Sequence, residues 1–285
     1  MHTRHPLLLP LFVAFALGLL VAPREVRDSP GAFHASFGRG PTIVLVHGLG
    51  SRSSHWLATA RVLARDHRVV LIDLPGHGES AMPEPLTLER AAASLDQALA
   101  ALGREPVVLV GHSVGGLVVA AEAIAHPERV RGLVLVETAL EPQIDGTARE
   151  DLLSALDYDY RTVLRTAYTA FGRDSVQGAA LYAEVAALDS NVIKPWVRLA
   201  VTADLSRESA RLQAPVLAVL AEHSWPLDEP WKQTAAELGY AAIPRCQPLR
   251  LGECGHFIML DRPEPLAAAI ARFAADTERK LIASF

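Results

Sequence analysis

The chain has 285 residues, half of them hydrophobic, which suits one large core or a core with an insertion. Its formal net charge is -5 and it has no lysine or arginine run, so the basic footprint of a nucleic-acid binder is excluded. In chain order, the first feature is an apolar stretch, residues 7–22, behind Arg4. It is short for a membrane span and fits the core of a secretory signal. Residues 1–23 are therefore expected to act as an export signal or membrane anchor, poorly cleaved because "LLVA" is a weak cleavage site. The competing reading is an apolar helix packed on the domain.

From residue 41 strands and helices alternate. "TIVLVH" (42–47), "RVVLIDL" (68–74), "PVVLVGH" (106–112), "VRGLVLVE" (130–137), "PVLAVLAE" (215–222) and "QPLRLGE" (247–253) read as strands, most of them apolar throughout. The stretch before Pro41 has room for one short strand. Helical spacing covers 53–66, 86–103, with Thr87 as cap and Gly103 as stop, and the residues between Ser113 and Pro127. Apolar strands separated by helices predict a mostly parallel sheet covered on both faces. The stretch 141–211 carries helical patterns without strands and reads as a cap, dividing a core of residues 32–140 and 212–285. Cys246 and Cys254 flank one expected strand. Eight extended steps span roughly 26 Å at about 3.3 Å each, too far for a disulfide, whose Cα atoms lie within about 7 Å. Both are expected to be free thiols.

Gly111-His112-Ser113-Val114-Gly115 fits G-x-S-x-G between a strand and a helix. A serine on such a bend is held in a strained conformation, with small neighbours where strand and helix pass closely. Its hydroxyl then sits at a helix N-terminus, where free N–H groups favour developing negative charge. Phosphate-loop and dinucleotide turns are excluded by the spacing, which leaves a purely structural glycine turn as the bland alternative.

With "VLVHGLGSRSSHW", "VVLIDLPGHGES", "VGHSVGG" and "LGECGHFIMLDRPEPLAAAI" in this order, the chain resembles the α/β-hydrolase superfamily over residues 41 to about 275. The resemblance implies the α/β-hydrolase fold with an inserted helical cap, Ser113 as nucleophile and His256 as base. It also implies an oxyanion hole from the backbone N–H groups of Leu49 and Val114. His47 and His77 then shape loops, His112 points away, and His223 lies near the pocket. No metal or organic cofactor is implied. Asp73 and Trp56 read as structural, and the aromatic residues of 141–211 as packing or pocket lining.

The acid departs from the commoner pattern. Superfamily members often carry an aspartate shortly after the strand matched by 215–222, and here that position is Ser224. One branch, including haloalkane dehalogenases, uses a carboxylate after the preceding strand, where this chain has Glu137. Glu137 is the preferred acid, with Glu222 and Asp228 as alternatives. Serine at 113 excludes dehalogenase and epoxide-opening chemistry, which need an aspartate there. The expected activity is hydrolysis of a small, apolar carboxylic ester through an acyl-enzyme, near a membrane if residues 7–22 anchor the chain. Two other readings stay open: a cofactor-free oxygenase, perhydrolase or carbon–carbon hydrolase on the same fold, and a silent ligand-binding relative.

Overall fold

A computed structural model describes residues 24–25, 34–78 and 80–282. The expected signal or anchor at residues 1–23 lies outside them. No helix among the described residues is long and apolar enough to cross a membrane.

An eight-stranded sheet forms the centre. Its strands are β1 (Arg24–Glu25), β2 (His34–Phe37), β3 (Thr42–Val46), β4 (Arg68–Ile72), β5 (Val107–His112), β6 (Val130–Val136), β7 (Val216–Ala221) and β8 (Cys246–Leu251). They lie in the order β1-β2-β4-β3-β5-β6-β7-β8. β1 and β2 pair antiparallel, and every pair from β4 to β8 is parallel. The mostly parallel sheet expected from the sequence is present. The two-residue β1 precedes the stretch where a single edge strand was expected.

Helices α1 (Leu57–Leu63), α2 (Leu88–Leu102) and α3 (Val114–Ala125) follow β3, β4 and β5. Thr87 caps α2 by accepting the Arg90 N–H, and α2 stops at Gly103. Between β6 and β7 come α4 (Gly146–Tyr158), α5 (Tyr160–Phe171), α6 (Ser175–Ala186) and α7 (Ser190–Thr202). Helical spacing runs unbroken through residues 150–172, yet they belong to two helices, α4 and α5. Asp159 leaves helical geometry at φ -136° and its carboxylate caps α5. α8 (Trp231–Glu237), α9 (Ile258–Asp261) and α10 (Pro263–Ile282) complete the fold.

Alternate strand residues point to opposite faces. Val44, Val46, Leu109, Leu133 and Leu135 pack on the face shared with α2 and α3. Ile43, Leu45, Val108, Val110 and Val134 pack on the other, with Ala60 of α1 and Ile270 and Phe273 of α10. Because both faces are dry, only the strand ends are open to a substrate. β3 lies between β4 and β5, so the chain winds in opposite directions on either side of it. The crevice at the carboxyl ends of such strands is where ligands bind in open parallel sheets.

Candidate active site

Ser113 follows β5 with φ 53° and ψ -126°, a conformation that L residues rarely adopt. Its N–H donates to Val136 O at 2.9 Å, and its carbonyl accepts from Gly116 N–H at 2.8 Å and Thr138 Oγ1 at 3.1 Å. The glycines beside it are steric necessities. A Cβ on Gly115 would collide with the His47 carbonyl, and one on Gly116 with the Thr138 hydroxyl. A Cβ on Gly48 would stand 3.1 Å from Ser113 Cβ, so the loop after β3 passes directly beside the serine.

His256 follows β8. Its Nδ1 lies 3.1 Å from Glu137 Oε2, and Phe171 of α5 stacks on the ring at 4.5 Å between centroids. Its N–H donates to the Phe171 carbonyl at 3.0 Å, and its own carbonyl accepts from His112 Nε2 at 2.9 Å. His112, next to the serine in sequence, grips the backbone of His256. That bond puts its proton on Nε2, and burial beside His256 holds its pKa well below 6.5.

Glu137 follows β6 at φ 49°, a second non-glycine residue in the left-handed region. Its N–H donates to Val219 O at 2.9 Å, and its Oε1 accepts the Ala221 N–H at 2.6 Å. Its Oε2 accepts from Ser224 Oγ at 2.9 Å and from His223 Nε2 and His256 Nδ1 at 3.1 Å each. Burial alone would raise this carboxyl. The hydrogen bonds from His223, His256 and Ala221 overcome it and hold the group well below the usual 4.5. The same bond to Glu137 raises the proton affinity of half-exposed His223. Glu222 and Asp228, the alternative acids, are both exposed. Ser224, at the position where the family resemblance led to an expected aspartate, instead donates to the glutamate that reaches across from β6.

The loop bearing Leu49 is held by two buried histidines. His47 Nδ1 lies 2.7 Å from the Gly48 carbonyl, while its Nε2 accepts the Leu74 N–H at 3.0 Å. Ser51 N–H also donates to Gly48 O, at 3.2 Å. In a trans peptide the amide opposes the carbonyl, so this grip fixes the Leu49 N–H on the far side. His77 Nε2 accepts the Gly50 N–H at 3.2 Å, and burial lowers its pKa to about 3. From α5, the Tyr168 hydroxyl donates to Leu49 O at 2.6 Å. Asp73 accepts the Ser53 N–H at 2.8 Å, and Trp56 is fully buried, both structural as expected. The sequence placed His223 near the pocket but offered no sign of the roles of His112 and Tyr168, whose partners lie far away along the chain.

Two cavities meet at Ser113 and His256. One, about 430 Å³, is walled by Leu164, Ala167, Tyr168, Phe171, Val197 and Phe257 among other mainly apolar groups. The other, about 510 Å³, is bordered by Thr138, Glu141, Gln143, His223, Ser224 and Glu237. Cys246 and Cys254 are free, and burial pushes their thiols up to about 12 and about 11. Among the described residues, two sets stand close enough to hold a metal ion: Glu137, His223 and His256, and Asp96, Glu122 and His126.

Comparison with known proteins gives a consistent result. A family model described as the alpha/beta hydrolase fold matches residues 41–263. Polyketide synthase ThaQ of Burkholderia thailandensis is 30% identical over 275 residues, covering 90% of this chain; the chain spans only 13% of ThaQ. The pimeloyl-[acyl-carrier protein] methyl ester esterase of Edwardsiella ictaluri is 32% identical over 254 residues, covering 81% of this chain and 92% of that protein. The crystal structure of a membrane phospholipase A, a bacterial virulence factor, superposes with a TM-score of 0.70 at 25% identity, covering 90% of this chain and 86% of the other.

Proposed function

The chain belongs to the alpha/beta hydrolase fold family, and on that premise we propose that it is a serine hydrolase of carboxylic esters with an apolar acyl group. The observation that carries this reading is the strained Ser113 opening onto the same two cavities as His256, whose Nδ1 is bound to buried Glu137 at 3.1 Å. A serine hydroxyl needs a base to remove its proton as it attacks. With Nδ1–H donated to an ionised carboxylate, the lone pair of His256 is left on Nε2 for that proton. Glu137 then stabilises the imidazolium that forms.

Attack on the ester carbonyl turns its oxygen into an oxyanion. The N–H of Val114, at the start of α3, and the N–H of Leu49, fixed by the grip on Gly48 O, are its donors. Collapse expels the alcohol, which takes the proton back from His256 and leaves an acyl-Ser113. Water, deprotonated by the same ring, attacks this ester and releases the acid. Each round consumes one ester and one water and yields one acid and one alcohol.

The strongly apolar cavity suits the acyl chain, and the more mixed one, which also has apolar walls such as Leu117 and Leu220, suits the alcohol. The relatives, a methyl ester esterase and a membrane phospholipase, fit an ester of this kind. An apolar acyl group and the apolar residues 7–22 both suit work beside a membrane, and fractionation of cells making the full chain tests that part.

The enzymatic test is a p-nitrophenyl ester panel combined with a serine-directed fluorophosphonate. Ester turnover and labelling are expected, and Ser113→Ala should abolish both. An unlabelled protein that turns over no ester overturns the proposal. Oxygen consumption or β-diketone cleavage without ester turnover would instead favour the other chemistries open to a serine–histidine pair.

A further inference from the structure

Three donors converge on one oxygen at the rim of the site. Glu137 Oε2 is 2.9 Å from Ser224 Oγ and 3.1 Å from both His223 Nε2 and His256 Nδ1. We propose that Glu137, His223 and His256 form a binding site for a divalent transition-metal ion of the zinc class, and that its occupation switches hydrolysis off.

The donor set and its spacing carry this. The three ligand atoms lie within 4.8 Å of one another. Ligands bound about 2.0–2.1 Å from a tetrahedral zinc stand about 3.3 Å apart. Both nitrogen-to-oxygen gaps, at 3.1 Å, are already near that value. Two imidazoles and one carboxylate match zinc and its neighbours, whereas magnesium and calcium take oxygen ligands. Entry is open as well. His223 is half exposed, and all three residues border the cavity of about 510 Å³, from which water can supply the fourth ligand. The other close set is a poorer host. Arg129 Nε already stands 2.8 Å from Asp96 Oδ1, so a guanidinium occupies the cation's place.

The consequence follows from the tautomer. In the free protein the His256 proton sits on Nδ1 and the lone pair on Nε2. A metal ion takes the Nδ1 lone pair, and the ring proton passes through solvent to Nε2. Nε2–H then donates and cannot accept the Ser113 proton. The ion keeps its charge, and no carbon bond is formed or broken. The loss of turnover rests on the hydrolase reading, but the binding does not.

Binding is therefore measured on the full chain carrying Ser113→Ala, by calorimetric titration with Zn²⁺ and by the visible spectrum with Co²⁺. One ion per chain is expected at this site, with tetrahedral Co²⁺ absorption. Adding His223→Ala should weaken Zn²⁺ binding more than about tenfold and remove the band. In chains with Ser113 intact, Zn²⁺ should inhibit ester turnover reversibly with a chelator. The half-inhibiting concentration should rise by a similar factor in His223→Ala and stay put in His126→Ala. Unchanged Zn²⁺ affinity and unchanged half-inhibition in His223→Ala would overturn the proposal, as would binding lost only with His126→Ala. A metal-free protein that turns over no ester counts against the hydrolase reading alone, and the two binding measurements still decide the site.

Discussion

Replacing Glu137 with glutamine keeps the size of the side chain and changes only what its atoms donate and accept. In the native site Oε1 accepts the Ala221 N–H at 2.6 Å, and Oε2 faces three donors at 2.9 to 3.1 Å. An amide has one oxygen and one NH2, so one side must fail. If the oxygen stays toward Ala221, the NH2 points at His256 and draws the ring to accept through Nδ1, which puts its proton on Nε2 and removes the base. If the amide flips, the NH2 meets the Ala221 N–H, donor against donor, at a desolvation cost of about 1–3 kcal/mol. In another serine–histidine–acid enzyme the wrong tautomer lowers kcat about 10⁴-fold. Here flipping offers a partial escape, so a fall of about 10²–10⁴ is expected, roughly 2.7–5.5 kcal/mol in the barrier. The assay is p-nitrophenyl butyrate turnover beside a melting curve, with Glu222→Gln and Asp228→Asn as controls near wild-type. Ser224 Oγ is 2.9 Å from Oε2, so adding Ser224→Asp to Glu137→Gln should restore a carboxylate beside His256 and recover at least part of the loss. A folded Glu137→Gln protein keeping more than about a tenth of wild-type kcat would refute this reasoning.

Other consequences are open to simple measurement. Each buried methylene contributes about 0.8 kcal/mol, so kcat/KM should climb roughly fourfold per carbon from acetate to hexanoate, and Ala167→Trp should flatten that slope by filling the apolar cavity. Tyr168→Phe removes the hydroxyl that donates to Leu49 O at 2.6 Å; it should cost about 1 kcal/mol in chemical denaturation and lower kcat without changing chain-length preference. Glu122 is buried on α3, and burial with Asp96 nearby raises its pKa from 4.5 to about 8. A raised folded-state value means its contribution is intact below 4.5 and is lost as pH rises toward 8. Glu122→Gln should therefore gain on wild-type across that window, on the order of 2–4 kcal/mol by its upper end, and a pH-independent difference would rule out this account.

The sequence carried the sheet and the strained serine turn because both are local signals. Runs such as 107–112 are apolar at every position, as a strand covered on both faces must be. The elbow is five consecutive residues. The carboxylate that meets His256 was harder to single out, because Glu137, Glu222 and Asp228 all follow strands and spacing alone does not choose among them. Burial separates them, with Glu137 6% exposed and the other two in solvent, and burial depends on how β6 and β7 lie against each other. The side chains that grip the site's backbone from far along the chain were least legible. His112 grips a carbonyl 144 positions away and Tyr168 one 119 positions away, and neither bond leaves a periodic trace. Asp159 was hidden for another reason. It lies within a run of good helical spacing, and only its cap onto Thr162 N–H shows that the helix restarts there.

The silent-binder alternative must account for the strain. Ser113 and Glu137 leave the neighbouring strands β5 and β6 at φ 53° and φ 49°, and neither is glycine. A non-glycine residue held in a sparse backbone region costs on the order of 1–3 kcal/mol. Other turns of this chain take glycine, as at Gly50, Gly76 and Gly78, although the exposed Glu253 also stands at φ 57°. What serine and glutamate supply instead is a hydroxyl and a carboxylate, and the second of these meets the ring of His256 at 3.1 Å. A binding scaffold gains nothing from holding that ring in one tautomer. A base that must accept a proton at Nε2 requires it, and so the carboxylate that the strained Glu137 brings to His256 favours catalysis over mere recognition.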